Sequence, residues 1–251
     1  MINLRPHQEK CFDAMQRNNV GQVIVPTGGG KTYIMIEDAI NQFKSPVAKT
    51  IVVVAPRILL ANQLCSEFTE FITDTDIAHV HSGETHYFST TKTKRLENWY
   101  HNSTENILIF TTYHSLHKIT ESLDIEIDTI YYDEAHNGTQ KNIFEAVKTI
   151  TADRKFYFTA TPKISKSGAE NGMGNSKVWG QVICNVPAKT LIDTGAILPP
   201  KVVPFPTNRV RNKDNAHDVD ADNLQDMIDS LDDGNPVSYT HLTLPTKALV
   251  L

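Results

Sequence analysis

Long apolar runs are absent from this 251-residue sequence. No stretch approaches the ~20 consecutive apolar residues that a membrane-spanning helix needs. The first ten residues, MINLRPHQEK, also lack the apolar core of a signal peptide. We therefore expect a chain that has no membrane partner and stays in the cytoplasm.

Cysteine is scarce, with three residues in the whole chain, Cys11, Cys65 and Cys184. Their odd number and wide spacing argue against a disulfide framework and against a zinc site. We expect reduced thiols, as in most cytoplasmic proteins.

Dense clusters of basic residues are missing as well, although the charge is unevenly distributed. The whole chain has a formal net charge of −5. Residues 214–251 contain eight aspartates and one lysine, so the rest of the chain has 21 acidic and 23 basic residues. This balance neither excludes a nucleic-acid partner nor requires one.

Short apolar segments alternate with stretches of helical periodicity. The segments rich in β-branched and aromatic residues, which predict strands, are 20–25, 50–55, 77–80, 106–110, 128–132 and 155–160. Several are apolar throughout, a pattern typical of strands covered on both faces. Stretches 31–43, 58–72 and 141–150 carry apolar residues at helical spacing. The alternation predicts an α/β domain with a central, mostly parallel sheet and helices on both faces.

The strand predicted at 20–25 runs directly into PTGGGKT (26–32), and a helix follows. Glycines at such a junction let backbone N–H groups turn towards phosphate oxygens. Lys31 would place a positive charge at the β- and γ-phosphates, and the Thr32 hydroxyl would ligate Mg²⁺. Val25 departs from the strict phosphate-loop pattern, which has glycine there. Three glycines directly before Lys-Thr nevertheless favour a phosphate loop over an ordinary turn. We predict an ATP site that includes Thr27, Gly28, Gly29, Gly30, Lys31 and Thr32.

A second motif, IYYDEAHN (130–137), places two acids at the end of an apolar strand. Asp133 can reach Mg²⁺ from there, directly or through water. Glu134 can orient and deprotonate the attacking water. Alone, the pair could equally cap the following helix, but a phosphate loop earlier in the chain favours catalysis. His136 is either an ordinary surface histidine or a polar link from the ATP site to the next strand.

PTGGGKT (26–32), DEAH (133–136) and FTATP (158–162), in this order, resemble the central motifs of superfamily 2 helicases and translocases. LRPHQ (4–8) resembles their adenine-reading motif, which implies that Gln8 contacts the base and that Arg5 belongs to the nucleotide site. Residues 178–200 resemble the segment that closes the first motor domain in relatives of type I and type III restriction-enzyme motor subunits and of phage helicases. The resemblance implies a RecA-like P-loop NTPase domain over residues 1–206.

The resemblance also implies roles outside the ATP site. Thr159 and Thr161 would bond to Glu134 or His136 and relay the state of that site, unless FTATP is merely a strand end with a turn. Residues 52–63 and 110–116 resemble motifs that hold a nucleic-acid strand, which we expect to be DNA rather than RNA. The residues implied to contact the sugar-phosphate backbone are Pro56, Arg57, Gln63, Thr111 and Thr112. Such contacts give position without sequence readout. All but Pro56 would, taken singly, more often be ordinary surface residues, and Arg57 could equally cap its own helix.

Helicases of this superfamily bind ATP between two RecA-like domains, and the second domain supplies arginines that reach the γ-phosphate. Only Arg209 and Arg211 follow residue 206 here. We therefore expect residues 207–236 to be an acidic linker or the start of a second domain that this sequence does not include. Residues 237–251 we interpret as a non-native tail, because VSYTHLTLPT has a back-translation that resembles a sequencing-library adapter. A native hairpin or disordered tail is the alternative.

Two further groups of residues receive plainer interpretations. His79, His81 and the nearby His86 would need additional ligands to bind a metal. Trp99 and Tyr100 could stack on bases, but packing of a helix over a surface turn is the interpretation we favour.

The sequence thus predicts the N-terminal motor domain of an ATP-dependent DNA helicase or translocase that uses ATP and Mg²⁺. One alternative is a stand-alone, nucleotide-dependent nucleic-acid-binding module without unwinding activity. Another is an unrelated P-loop enzyme such as a small-molecule kinase, against which FTATP and PRILLANQ argue.

Overall fold

The computed structural model describes residues 2–122, 124–165 and 168–199, together with the backbone of residues 202–203 and 249–250. Its helices are α1 (Pro6–Gln16), α2 (Lys31–Gln42), α3 (Ile58–Thr69), α4 (Thr93–Asn102), α5 (His117–Thr120), α6 (Lys141–Thr149), α7 (Ser176–Trp179) and α8 (Ala188–Asp193), and a 3₁₀ helix spans Ala135–Thr139. Its strands are β1 (Val20–Ile24), β2 (Thr50–Ala55), β3 (Thr75–Val80), β4 (Phe88–Ser89), β5 (Asn106–Thr112), β6 (Thr129–Tyr132), β7 (Arg154–Thr159), β8 (Gln181–Asn185), β9 (Val202–Val203) and β10 (Leu249–Val250).

Eight strands form one sheet in the order β4-β3-β5-β2-β6-β7-β1-β8. Every neighbouring pair in this sheet is parallel. The predicted α/β fold is therefore confirmed, and each of the six predicted strand segments overlaps a strand. The sequence pattern did not predict the edge strand β8, because it is mostly exposed and its apolar run is only three residues long.

The central strands are buried on both faces, and their side chains alternate between two hydrophobic clusters. In β2, Ile51 and Val53 belong to one cluster, while Val52 and Val54 belong to the other. Helices α1, α2, α3 and α8 contribute to the first cluster, and α4, α5, α6 and α7 to the second. Burial on both faces explains why these strands read as continuous apolar runs.

A buried ion pair connects helix α2 to strand β7. Asp38 is fully buried, and its two carboxylate oxygens accept hydrogen bonds from the Arg154 guanidinium at 2.9 and 3.0 Å. The same carboxylate accepts bonds from the Tyr131 hydroxyl at 2.5 Å and from the Gln16 amide at 2.7 Å. One carboxylate thus joins α1, α2, β6 and β7, which fixes these elements relative to one another.

Because the strands are parallel, their carboxyl ends meet at one edge of the sheet. The phosphate-loop segment follows β1, the acidic motif follows β6, and β7 lies between these two strands. Segments 56–63 and 111–116 lie at the same edge, after β2 and at the end of β5. The topology therefore collects the predicted site residues of distant sequence segments at this edge.

The chain divides into two units, residues 1–197 and 198–251. In the second unit, β9 and β10 pair antiparallel, with Val203 opposite Leu249. The predicted linker (207–236) and, apart from Leu249–Val250, the predicted tail (237–251) lie outside the described residues, so both stay predictions, as does the boundary at residue 206. No helix within the described ranges combines the length and hydrophobicity of a membrane span.

Candidate functional site

The loop between β1 and α2 has a backbone that its glycines make possible. Gly28 and Gly30 have φ angles of +77° and +75°, in the left-handed region that favours glycine. A Cβ atom on Gly29 would lie 2.5 Å from a Val25 methyl group, so the loop is packed closely there. Helix α2 begins at Lys31 without a side-chain cap. An uncapped helix N-terminus that follows a glycine turn presents N–H groups to an anion.

Helix α1 supports this loop from its first turn. A ring nitrogen of His7 lies 2.9 Å from the Gly29 carbonyl oxygen. The Gln8 amide donates to the carbonyls of Gly29 and Gly30 at 3.3 and 3.2 Å, and its own oxygen accepts from the Arg5 backbone N–H at 2.8 Å. The sequence did not single out His7. Contact of Gln8 with a base stays a prediction, since the amide nitrogen is bonded to the loop.

A cavity of about 300 Å³ lies between the start of α1 and the segment that joins β8 to α8. It is lined by Arg5, Pro6, His7, Lys10, Asn185, Val186, Pro187, Thr190 and Thr194. Two cationic side chains and several apolar ones thus surround a space next to the residues that support the phosphate loop. None of the predicted site residues lies in the wall formed by residues 185–194.

The acidic motif forms a tight turn rather than the start of an α-helix. Asp133 continues the sheet through its N–H, which donates to the Val54 carbonyl at 2.8 Å. Glu134 follows with φ +46° and ψ +55°, and the 3₁₀ helix begins after it. Its side chain makes no capping hydrogen bond. The Glu134 carboxylate lies 3.0 Å from the Lys31 ammonium, so the structure brings together two of the three predicted catalytic residues, the third being Asp133.

The electrostatics of this turn depend on its burial. Burial, and then the neighbouring charge of Glu134, raise the pKa of Asp133 to about 6, while Lys31 acts in the opposite direction. Two adjacent carboxylates and the hydroxyl of Thr32 are oxygen ligands of the kind that Mg²⁺ prefers. The residues present therefore fit a magnesium–nucleotide complex.

The predicted coupling residues form a short chain of contacts beside the turn. His136 Nδ1 lies 3.0 Å from the Thr159 hydroxyl and 3.5 Å from a Glu134 carboxylate oxygen. The Thr159 hydroxyl also accepts from the Thr161 N–H at 3.1 Å. Burial lowers the pKa of His136, an effect that the neighbouring Glu134 carboxylate opposes. The contacts exist as a connected set, and their role in relaying the ATP state stays a prediction.

The predicted nucleic-acid contacts differ in their exposure. Arg57 is exposed at the N-cap position of α3 without a side-chain capping bond. Gln63 is exposed and donates to Glu67 at 2.8 Å, and Pro56 is half-buried. Thr111 is fully buried, and its hydroxyl donates to the Val80 carbonyl at 2.9 Å.

Thr112 is buried as well, and the exposed residue next in this segment is His114. All five predicted contacts stay predictions. His114 is a candidate that the sequence did not suggest.

The two groups set aside in the sequence make internal contacts. His79 Nδ1 lies 2.9 Å from His81 Nε2, and the His81 Nδ1 accepts from the Gly83 N–H. Trp99 stacks on Phe88 with centroids 5.3 Å apart, and the Tyr100 hydroxyl donates to the Glu126 carbonyl. These contacts are the packing role that we favoured for the two aromatic residues.

Residues 1–164 match the family described as ResIII, the type III restriction enzyme res subunit. The chain belongs to this family. No curated protein matches the sequence of this ResIII chain.

Solved structures share the fold of this family member. The Type ISP restriction-modification enzyme LlaGI, solved with a DNA substrate mimic, matches 78% of the chain at 21% identity with a TM-score of 0.64. LlaBIII, an ATP-dependent enzyme of the same type bound to DNA, matches 77% of the chain at 21% identity with a TM-score of 0.64. The helicase domain of Pyrococcus furiosus Hef matches 71% of the chain at 16% identity with a TM-score of 0.54. These likenesses confirm the RecA-like fold.

The chain spans a minor part of these proteins. It covers 21% of the LlaGI chain, 16% of LlaBIII and 37% of the Hef chain. The fold that the ResIII chain shares with these proteins is therefore one part of each of them.

Proposed function

We propose that this ResIII domain is the ATP-binding motor domain of an ATP-dependent DNA helicase or translocase. The observation that supports the proposal most is the meeting of the Lys31 ammonium and the Glu134 carboxylate at 3.0 Å, at the mouth of a glycine loop with two positive-φ positions. A cation that binds phosphate and a carboxylate that activates water must both lie near the γ-phosphate. Their proximity suits hydrolysis of ATP to ADP and phosphate.

Each residue has a distinct part in this mechanism. The backbone N–H groups of the glycine loop would hold the phosphates, and Lys31 would neutralise their charge. Mg²⁺, held by Thr32 and Asp133, would supply the charge that stabilises the transferring phosphoryl group. Glu134 would orient the attacking water and accept its proton. The cavity beside Arg5 and Lys10 would take the base and ribose.

DNA is the proposed partner, since LlaGI and LlaBIII were solved with DNA or a DNA mimic. Exposed Arg57 at the start of α3 lies at the same sheet edge as the ATP site. A second RecA-like domain would supply the arginines for fast turnover. Binding of ATP and DNA without turnover in any longer form of the protein would instead favour the stand-alone binding module.

The proposal is tested by calorimetric titration of the 251-residue chain with ATP and Mg²⁺. We expect wild-type protein to bind, and Lys31→Ala to weaken binding by at least about tenfold, because a charged hydrogen bond to phosphate is lost. Lys44→Ala, which alters an exposed lysine after the same helix, is the matched control and should bind as wild type. Absence of binding to the wild type, or equal binding by Lys31→Ala, would refute the nucleotide site.

A further inference from the structure

Three segments of the candidate site meet at one side chain, that of Tyr113. Its backbone N–H donates to the Ala55 carbonyl at 3.2 Å, where β2 ends two residues before Arg57. Its hydroxyl donates to the Asp133 carbonyl at 2.8 Å. Tyr113 itself belongs to the segment at the end of β5, directly before the exposed His114. The two predicted nucleic-acid segments and the acidic turn are therefore joined by two hydrogen bonds of a single residue.

The bond to Asp133 acts at the peptide that precedes Glu134. Glu134 has φ +46°, one of two positive φ values among the described non-glycine residues. A non-glycine residue keeps such a conformation only when its surroundings hold it there. The Tyr113 hydroxyl holds the Asp133 carbonyl, which belongs to the peptide on the N-terminal side of Glu134. The position of the hydroxyl therefore affects where the Glu134 carboxylate points.

The ring of Tyr113 has little freedom to move independently. It is 2% exposed and stacks on Tyr132 with centroids 6.2 Å apart. A Cβ on Gly138, in the 3₁₀ helix after the acidic turn, would lie 3.3 Å from it. Burial raises the pKa of Tyr113 well above its ordinary value, so the phenol stays protonated and remains a donor. A shift of the 111–114 backbone would therefore be transmitted to the acidic turn rather than absorbed by a rotating side chain.

We propose that Tyr113 is a positioning residue that couples occupancy of the nucleic-acid surface at Arg57 and His114 to the geometry of the Asp133–Glu134 turn. This inference rests on the proposed function and names the regulation of its site. A strand that contacts His114 or Arg57 acts within one or two residues of a bond that Tyr113 makes. The hydroxyl carries the effect to the peptide that orients Glu134.

The variant that tests this is Tyr113→Phe, which removes the hydroxyl and keeps the ring. The affinity of the 251-residue chain for a fluorescent ATP analogue with Mg²⁺ is measured alone and with saturating duplex DNA. The ratio of the two dissociation constants is the coupling factor, which we expect to be at least about fivefold in the wild type. In Tyr113→Phe we expect the coupling factor to fall towards one, each dissociation constant with DNA being compared with that of the same variant without DNA.

Two neighbouring tyrosines give matched controls within the same aromatic cluster. Tyr157→Phe removes a hydroxyl that donates to the Val178 carbonyl at 3.0 Å, a bond of similar length that does not involve the acidic turn. Tyr132→Phe removes a buried hydroxyl for which the described residues provide no partner. Both variants should keep the wild-type coupling factor.

The outcomes separate this inference from the proposed function. If the wild type binds neither nucleotide nor DNA, the proposed function fails and this inference fails with it. If the wild type binds both, three results overturn the inference alone. These are a coupling factor of one in the wild type, an unchanged coupling factor in Tyr113→Phe, and a coupling factor that falls as far in Tyr157→Phe as in Tyr113→Phe. The last result would indicate general loosening of the aromatic cluster.

Discussion

The Lys31 ammonium and the Glu134 carboxylate form an ion pair 3.0 Å long, across the strand that separates β1 from β6. Both side chains are largely shielded from solvent, with exposures of 10% and 19%. A triphosphate that recruits the lysine must compete with this carboxylate. Binding of nucleotide would therefore free Glu134 to act on water, which links the first step of the proposed reaction to the second.

Replacement of Glu134 by glutamine removes the competing charge and the proposed base together. We expect Glu134→Gln to bind ATP and Mg²⁺ about two- to fivefold more tightly than wild type, since a partly shielded ion pair contributes up to about 1 kcal/mol. Any hydrolysis should disappear. Calorimetry and a phosphate-release assay measure the two effects. Glu170→Gln, which breaks the exposed pair with Lys148, is the control and should change neither. Weaker nucleotide binding by Glu134→Gln would show that the carboxylate does not compete for the lysine.

The role of the glycine loop in binding phosphate can be tested separately from the effect that backbone strain has on stability. Gly28 has φ +77°, and Gly195, with φ +68°, has no atom within 4 Å of the position of an added Cβ. Alanine at either position should lower the free energy of unfolding by about 1 kcal/mol, because a side chain disfavours this conformation. Gly28→Ala alone should also weaken binding of ATP, since it displaces N–H groups that face the phosphates. Equal nucleotide affinity in both variants would argue against the cradle role of the loop.

The buried carboxylate of Asp38 makes the fold sensitive to a single change. Asp38→Ala leaves the Arg154 guanidinium without its buried partner, and the Tyr131 and Gln16 donors lose their acceptor. We expect a loss of about 3–5 kcal/mol in the free energy of unfolding. Urea denaturation followed by circular dichroism measures it.

Two further variants make the Asp38 test decisive if the alanine variant does not fold. Asp38→Asn keeps the shape of the side chain and should lower the free energy of unfolding by less than Asp38→Ala does. Glu170→Ala removes a carboxylate from an exposed ion pair and should leave the urea midpoint unchanged. If Asp38→Asn lowered the free energy of unfolding no more than Glu170→Ala does, the buried network would not hold α2 against β7.

The central sheet and the two chemical motifs were accessible from the sequence because they depend on local patterns. Strands buried on both faces are apolar along their whole length, as β2 shows. The spacing of PTGGGKT after a strand and DEAH after another places both motifs at the carboxyl edge of a parallel sheet. These features require no knowledge of which strands are neighbours.

Features that depend on tertiary packing were not accessible in this way. Thr111 and Thr112 are polar residues at a strand end, which suggested a surface, yet tertiary packing covers both. The donation from Tyr113 to Asp133 joins residues twenty positions apart through side-chain direction alone. The positive φ of Glu134 is also unexpected, because local preference for that conformation belongs to glycine and asparagine.

The buried histidine pair of β3 and its following loop predicts a dependence of stability on pH. The His81 Nδ1 accepts from Gly83, so the proton of a neutral His81 lies on Nε2 and is donated to His79 Nδ1. The proton of His79 then lies on its Nε2, which is buried and has no partner among the described residues. A further proton on either ring would break one of these bonds.

Burial, and then the proximity of His81, lower the pKa of His79 to about 4 from an ordinary value of 6.5. The unfolded chain therefore takes up the proton first as the pH falls. The contribution of this pair to the free energy of unfolding should be complete above pH 6.5 and decline towards pH 4. The decline is up to about 1.4 kcal/mol per pH unit for one proton.

His79→Phe, which keeps a ring beside Phe110, should make the curve of unfolding free energy against pH shallower in that range. His86→Phe, at an exposed position, should leave the slope unchanged. Parallel curves for His79→Phe and wild type would show that the buried pair does not titrate in this way.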